Sequence, residues 1–112
     1  MIHHIAIATP NLATMAEFYR SIKGLIWLEN KFNENGGIRS VWFETATKSI
    51  LMLESFPYSK APEALVFKID PFIQIEKLNL VITKQTDYTI YFLDPDKNQL
   101  GYSSYPDKLH CK

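Results

Sequence analysis

Cysteine is almost absent from this chain of 112 residues; the one thiol, Cys111, sits beside the C-terminus. A single cysteine cannot close an intrachain disulfide, and chain ends are usually too mobile to hold a catalytic nucleophile. Cys111 is therefore read as an exposed tail thiol, compatible with a reducing, cytoplasmic setting. Net charge is absent too, since Lys+Arg and Asp+Glu are both 12. No basic run is interleaved with aromatics, which excludes the usual electrostatic footprint of a nucleic-acid binder. The apolar runs are too short to span a bilayer. No basic region followed by a long apolar stretch opens the chain, so neither a membrane partner nor a secretory signal is expected. What is present is an ordinary globular composition, 46% hydrophobic and 13% aromatic. The length suits one domain, or two small halves fused into one.

The stretch Met1 to Tyr19 organises the first half. Ile2 to Ala8 has the apolar, β-branched content of a strand. Alternation puts Ile2, His4 and Ala6 on one face, and His3, Ile5 and Ile7 on the other. Thr9 is placed to cap a helix with Pro10 in its first position. Leu12, Met15, Ala16, Tyr19 and Ile22 recur at helical spacing, which predicts one buried face. Gly24 ends the helix. Leu25 to Phe32 reads as a strand, and the turn Asn33 to Gly37 joins it to another, Ile38 to Glu44. Ser49 to Phe56 is a fourth strand, with Ile50, Met52 and Glu54 on one face and Leu51, Leu53 and Ser55 on the other.

Residues 57–62, with two prolines, read as a linker. Glu63 to Ile69 is a strand again, and Asp70 is placed to cap a short helix starting at Pro71. Leu80 to Thr83, Tyr88 to Leu93 and Gln99 to Tyr105 read as three more strands. The element order is thus β-α-β-β-β twice, an internal duplication carried by element order rather than by identity. Module one covers 1–56 and module two 63–105, with a tail over 106–112.

At this point the chain resembles the vicinal oxygen chelate superfamily, which holds glyoxalases, bleomycin-resistance proteins and extradiol dioxygenases. The resemblance rests on His4-Ile5-Ala6-Ile7, Met15-Ala16-Glu17-Phe18-Tyr19, Gly24-Leu25, Ile50-Leu51-Met52-Leu53-Glu54, Phe67-Lys68-Ile69-Asp70 and Phe92-Leu93-Asp94-Pro95-Asp96-Lys97-Asn98. It implies an α+β fold of two βαβββ modules forming an open, incompletely closed β-barrel with outer helices. It also implies a homodimer, since modules of this family commonly pair edge to edge.

Members that use a metal hold it at four inward positions, on the first and last strand of each module. Carried over one at a time, these fall at His4, Met52, Ala64 and Gly101, and only His4 is a usual ligand. A catalytic zinc needs about three protein ligands, and a non-haem iron site needs two histidines and a carboxylate. Dimerisation restores nothing, because every copy lacks the same positions. Glu54, one side-chain repeat from Met52 at ~7 Å, is the one carboxylate placed to substitute. His3 points away from His4 by alternation. Lys97 stands where the family usually has glycine, so its turn is either bent differently or left-handed at that residue.

No metal and no cofactor is therefore expected. His4, Arg39, Trp42, Met52, Glu54, Tyr91 and Gly101 are the candidate ligand-binding residues. His4 is a polar group for a cavity wall, Arg39 a clamp for an anionic group, and Trp42, Tyr91 and Tyr102 stacking surfaces with polar tips. Glu54 suits a cationic group or a general base. Each has a plainer alternative: a hydrogen-bonded wall histidine, a solvated arginine, core aromatics and a solvated strand end. Ser103 and Ser104 carry hydroxyls, but no histidine–acid pair is at hand to activate them. The reading that follows is a metal-free module binding an unidentified small molecule. The alternatives are a metal-dependent lyase or dioxygenase with an atypical site around His4, and a metal-free enzyme using Glu54 or His4 in acid–base chemistry.

Overall fold

A computed structural model describes residues 3–110 of the chain. Ile2, assigned to the first strand, and Cys111 lie outside the described residues. The chain divides into two units, Met1–Pro62 and Glu63–Lys112.

The first unit runs β1 (His4–Thr9), α1 (Leu12–Arg20), β2 (Leu25–Phe32), β3 (Ile38–Thr45) and β4 (Ile50–Ser55). Its sheet has the order β1-β4-β3-β2. β1 runs parallel to β4, while β4, β3 and β2 form an antiparallel meander. Ile7, Phe43, Leu51 and Leu53 are buried on one sheet face, as are Met15, Ala16 and Tyr19 on α1. The helical spacing of those three residues is what lets α1 cover that face.

Two helix boundaries differ from expectation. Thr9 is the last residue of β1 and fully buried. Its Oγ1 accepts the Asn11 N–H at 2.9 Å, so the hydroxyl closes a turn instead of capping the helix. The N-cap falls on Asn11, and Pro10 stays outside the helix. The helix stops at Arg20, where Ser21 donates through both N–H and Oγ to the Phe18 carbonyl. Gly24 then turns the chain into β2 with φ +92°, a left-handed conformation that costs glycine little.

Two bulges shape the β2–β3 hairpin. Pairing steps from Trp27↔Phe43 to Glu29↔Trp42, which leaves Leu28 extra on β2, and from Lys31↔Ser40 to Phe32↔Ile38, which leaves Arg39 extra on β3. The segment read as a linker is partly paired. Ala8 and Lys60 exchange both backbone hydrogen bonds, at 2.9 and 3.0 Å, which covers the outer edge of β1.

The second unit runs β5 (Leu65–Lys68), a 3-10 turn at Ile75–Leu78, β6 (Ile82–Gln85), β7 (Thr89–Leu93) and β8 (Gln99–Ser103). The sheet order β5-β8-β7-β6 repeats that of the first unit, again with its first and last strands parallel. The duplication is therefore present in the strand topology. Its core holds Ile69, Ile90, Phe92, Leu100 and Tyr102.

The second helix is not an α-helix. Asp70 does accept the Phe72 N–H at 2.8 Å, but its carbonyl takes the Ile73 N–H and closes a turn there. Pro71 and the β-branched Ile73 and Ile75 disfavour propagation, and Asn79 breaks the segment with φ 53°. β6 accordingly begins at Ile82 instead of Leu80. The turn before β8 is built on Asp94, which is buried and accepts from Asp96 N–H, Asn98 N–H and Asn98 Nδ2 at 2.8–2.9 Å. Lys97 takes the left-handed conformation there, with φ 67°.

The fold is α+β. Neither four-stranded sheet closes into a barrel. Among the described residues no helix is long and apolar enough to cross a membrane.

Candidate functional site

Strand alternation gives the first sheet a second face, opposite α1, and the register sorts its side chains into rows. One row runs His4, Ile50, Glu44; the next Ala6, Met52, Trp42, Glu29; the third Ala8, Glu54, Ser40, Lys31. Neighbouring rows lie ~7 Å apart along the strands. Four of the candidate residues, His4, Trp42, Met52 and Glu54, thus share one face. Met52, Trp42 and Glu54 are half-buried, and His4 is exposed.

The middle row is apolar from Ala6 through Met52 to Trp42, with Glu29 at its β2 end. The Trp42 Nε1–H donates to Ser40 Oγ at 3.0 Å, which fixes the indole on the sheet. Lys31 Nζ lies 5.1 Å from the centre of its ring and 2.7 Å from Glu29 Oε1. Beyond β1 the face continues into a cavity of about 340 Å³ lined by Ala6, Ala8, Phe56, Tyr58, Lys60 and Pro62. The Phe56 and Tyr58 rings stack at 5.3 Å. The sequence places Phe56 at a strand end and Tyr58 in a linker; two aromatics separated by Pro57 are the signal it offers for this cavity.

Two expectations about acids and imidazoles are corrected. His3 precedes β1 and escapes its alternation, so its Nδ1 lies 3.0 Å from the Nδ1 of His4 and the rings meet edge to face. Glu54 is two rows from His4, ~13 Å along the strands, and cannot join it at one ligand atom. The acid in the row of His4 is Glu44, two strands away and paired with Lys48 at 3.3 Å. Arg39 is the bulged residue of β3, exposed at the hairpin end, and is not drawn into the rows.

In the second unit the corresponding row is Val66, Gly101, Tyr91, Lys84. Tyr91 is half-buried, with Lys84 Nζ 5.6 Å from its ring centre. Gly101 is buried and tightly enclosed. A Cβ there would lie 3.2 Å from the Ile90 carbonyl oxygen and 3.3 Å from both Thr89 and Tyr91 side chains. Ala64 lies just before β5 instead of within it. It precedes the cross-strand partner of Gly101 by two residues, as His4 precedes that of Met52.

The donors at the four carried-over positions are one imidazole, a thioether, a methyl group and a hydrogen. Among the described residues no group of three or more His, Cys, Asp or Glu side chains converges to hold an ion. The residues present do not fit the metal centre of the fold family.

No family model and no curated protein matches the chain. Solved structures do. A possible glyoxalase from Bacillus cereus is 17% identical, with a TM-score of 0.72 over 92% of this chain and 97% of that one. A glyoxalase/dioxygenase from Nostoc punctiforme is 24% identical, with a TM-score of 0.68 over 91% and 88%. The fosfomycin resistance protein FosX from Listeria monocytogenes, solved with Mn(II) and a dihydroxypropylphosphonic acid, is 14% identical, with a TM-score of 0.69 over 93% and 91%. At these identities the likeness speaks for the fold alone, and that fold is the one of the vicinal oxygen chelate superfamily.

Proposed function

We propose that this chain is a small-molecule binding module of the glyoxalase/bleomycin-resistance kind that works without a metal. The observation that carries the reading is the row Ala6, Met52, Trp42, set between Glu54 on one side and His4 on the other. Trp42 offers a fixed aromatic surface, and Met52 a polarizable side chain that adapts to the ligand. Glu54 suits a cationic group at one end. His4 offers a hydrogen bond at the other. The ligand class this favours has an apolar or aromatic body and a cationic or hydrogen-bonding end, not a small, highly charged anion.

The test is a thermal-shift screen of such compounds, with Trp fluorescence as a second readout. Hits should stabilise the native chain and fail to stabilise Met52→Lys, which places an unpaired charge in the row. Hits that stabilise both proteins equally bind elsewhere and overturn the reading.

A second reading, a metal-dependent lyase or dioxygenase centred on His4, is favoured by the proximity of the two imidazoles. It requires ligands beyond His3 and His4, because two imidazoles are fewer than the three a catalytic zinc uses.

A further inference from the structure

The face of the first sheet that carries α1 borders a second cavity, on the opposite side from the row of Met52 and Trp42. Its volume is about 610 Å³, within the range of small-molecule sites. One wall is α1. Leu12, Ala16 and Arg20 follow one another at successive turns, with Ala13 and Glu17 in the adjacent row. The two alanines leave the space between helix and sheet unfilled. The other wall is the β2–β3 hairpin, and both of its bulges shape it. Strict alternation would turn Trp27 and Asn30 to opposite faces. The extra residue Leu28 brings them to one face, where the Trp27 Nε1–H donates to Asn30 Oδ1 at 2.9 Å. The extra residue Arg39 likewise moves Ile38 from the face of Ser40 and Trp42 to that of Val41, beside the cavity. The indole held by Asn30 lies under the Arg20 guanidinium, 5.8 Å from ring centre to Cζ.

Buried Ala16 and Val41 thus floor an apolar cavity with three polar groups around it. Among the described residues neither Glu17 nor Arg20 has an ion-pair partner. The Asn30 carboxamide uses its oxygen on Trp27 and keeps its Nδ2 donors. Residues three apart on a helix have Cβ atoms ~5–6 Å apart, so one small molecule can reach both charges. We propose that this cavity binds a zwitterion with an apolar body, namely an α-amino acid with a bulky apolar side chain. The ammonium of the ligand goes to Glu17 and its carboxylate to Arg20 and Asn30 Nδ2. Its side chain lies on Ala13, Ala16, Ile38 and Val41. A simple carboxylate of the same shape meets repulsion from Glu17, and a simple amine meets it from Arg20, so the pair of charges selects the zwitterion.

The experiment titrates the full chain with L-phenylalanine in a calorimeter. One molecule should bind per chain. 3-Phenylpropanoate and 2-phenylethylamine each lack one of the two charges, and each should bind at least about tenfold more weakly. Glu17→Gln should weaken L-phenylalanine by about tenfold without weakening 3-phenylpropanoate, and Arg20→Gln should do the same without weakening 2-phenylethylamine. Ala13→Leu fills the cavity with a good helix former and should abolish binding. Circular dichroism confirms that each variant is folded, and the ligand series on wild-type protein needs no variant. No binding up to about 5 mM would overturn the proposal. So would either analogue binding as tightly as L-phenylalanine, or binding that survives Ala13→Leu. Ala13 lies across the sheet from Met52, so the outcome is independent of the row proposed above as a binding site.

Discussion

Met52 and Leu53 are neighbours on β4 with opposite environments, because side chains of a strand alternate between its faces. Leu53 is fully buried against α1, whereas Met52 is half-buried on the opposite face. A lysine at 53 puts an unpaired ammonium into the core, so Leu53→Lys should leave the chain unfolded in water, read by circular dichroism. Met52→Lys should stay folded, with stability within about 1 kcal/mol of wild type, and lose ligand binding. If Met52→Lys unfolds the chain and Leu53→Lys does not, the strand is inverted and the site is misassigned. Gly101 poses the complementary case. Its constraint is contact rather than backbone conformation, with the Ile90 carbonyl 3.2 Å from where a Cβ would sit. Gly101→Ala should therefore destabilise by about 1–3 kcal/mol through overpacking, visible as a lower denaturant midpoint at unchanged slope. The same crowding explains why a histidine at this position would need the β7–β8 pair to move.

At the scale of elements, strands were legible and short helical pieces were not. The eight strands follow from apolar, β-branched runs bounded by turn residues, and α1 from three buried residues at helical spacing. The stretch from Pro71 to Leu78 carried the same superficial cues as α1, but it is too short and too β-branched to beat the cost of nucleation, and it settles as a 3-10 turn. Thr9 shows the other kind of miss. Whether its hydroxyl caps a helix or closes a turn depends on burial, which composition does not disclose. Of the site, alternation groups His4 with Ala6 and Met52 with Glu54, and the family resemblance sets His4 and Met52 on one inner face; that Trp42 joins them follows only from its pairing with Met52 across β3 and β4. The bulge that displaces Arg39 and the return of Lys60 to Ala8 were not legible, because both arise from pairing between distant segments. The Asp94–Asn98 turn yields a prediction at this scale. Lys97 holds φ 67° where a side chain pays a steric penalty of about 1–2 kcal/mol, partly offset by the lower entropy of an unfolded lysine. Lys97→Gly should thus stabilise the chain by up to about 1 kcal/mol in chemical denaturation, and a loss of stability would mean that Lys97 contributes more than its backbone shape.

At the scale of the whole molecule, the question is how many donors survive the duplication. The topology repeats, so a metal site built on the first and last strand of each module has four places to draw from. The first module offers His4 and Met52 at its two, and the second offers Ala64 and Gly101 at its own. His3 adds an imidazole to the first module only, and both imidazoles are exposed. Such a pair can hold a divalent ion weakly. The size of any such effect follows from mass action, since an ion that binds the native state and is present at 100 times its dissociation constant adds about 2.7 kcal/mol to stability. For units of this length that would raise the melting temperature by roughly 10 °C or more. We therefore expect gently purified protein to carry far less than one equivalent of zinc, nickel, iron or manganese by elemental analysis. Each ion added in about tenfold excess over protein should shift the melting temperature by no more than about 1 °C. A full equivalent of metal that disappears in both His3→Ala and His4→Ala would instead mean that the paired imidazoles nucleate a centre completed by ligands outside the carried-over positions. The enzyme reading would then displace the binding module.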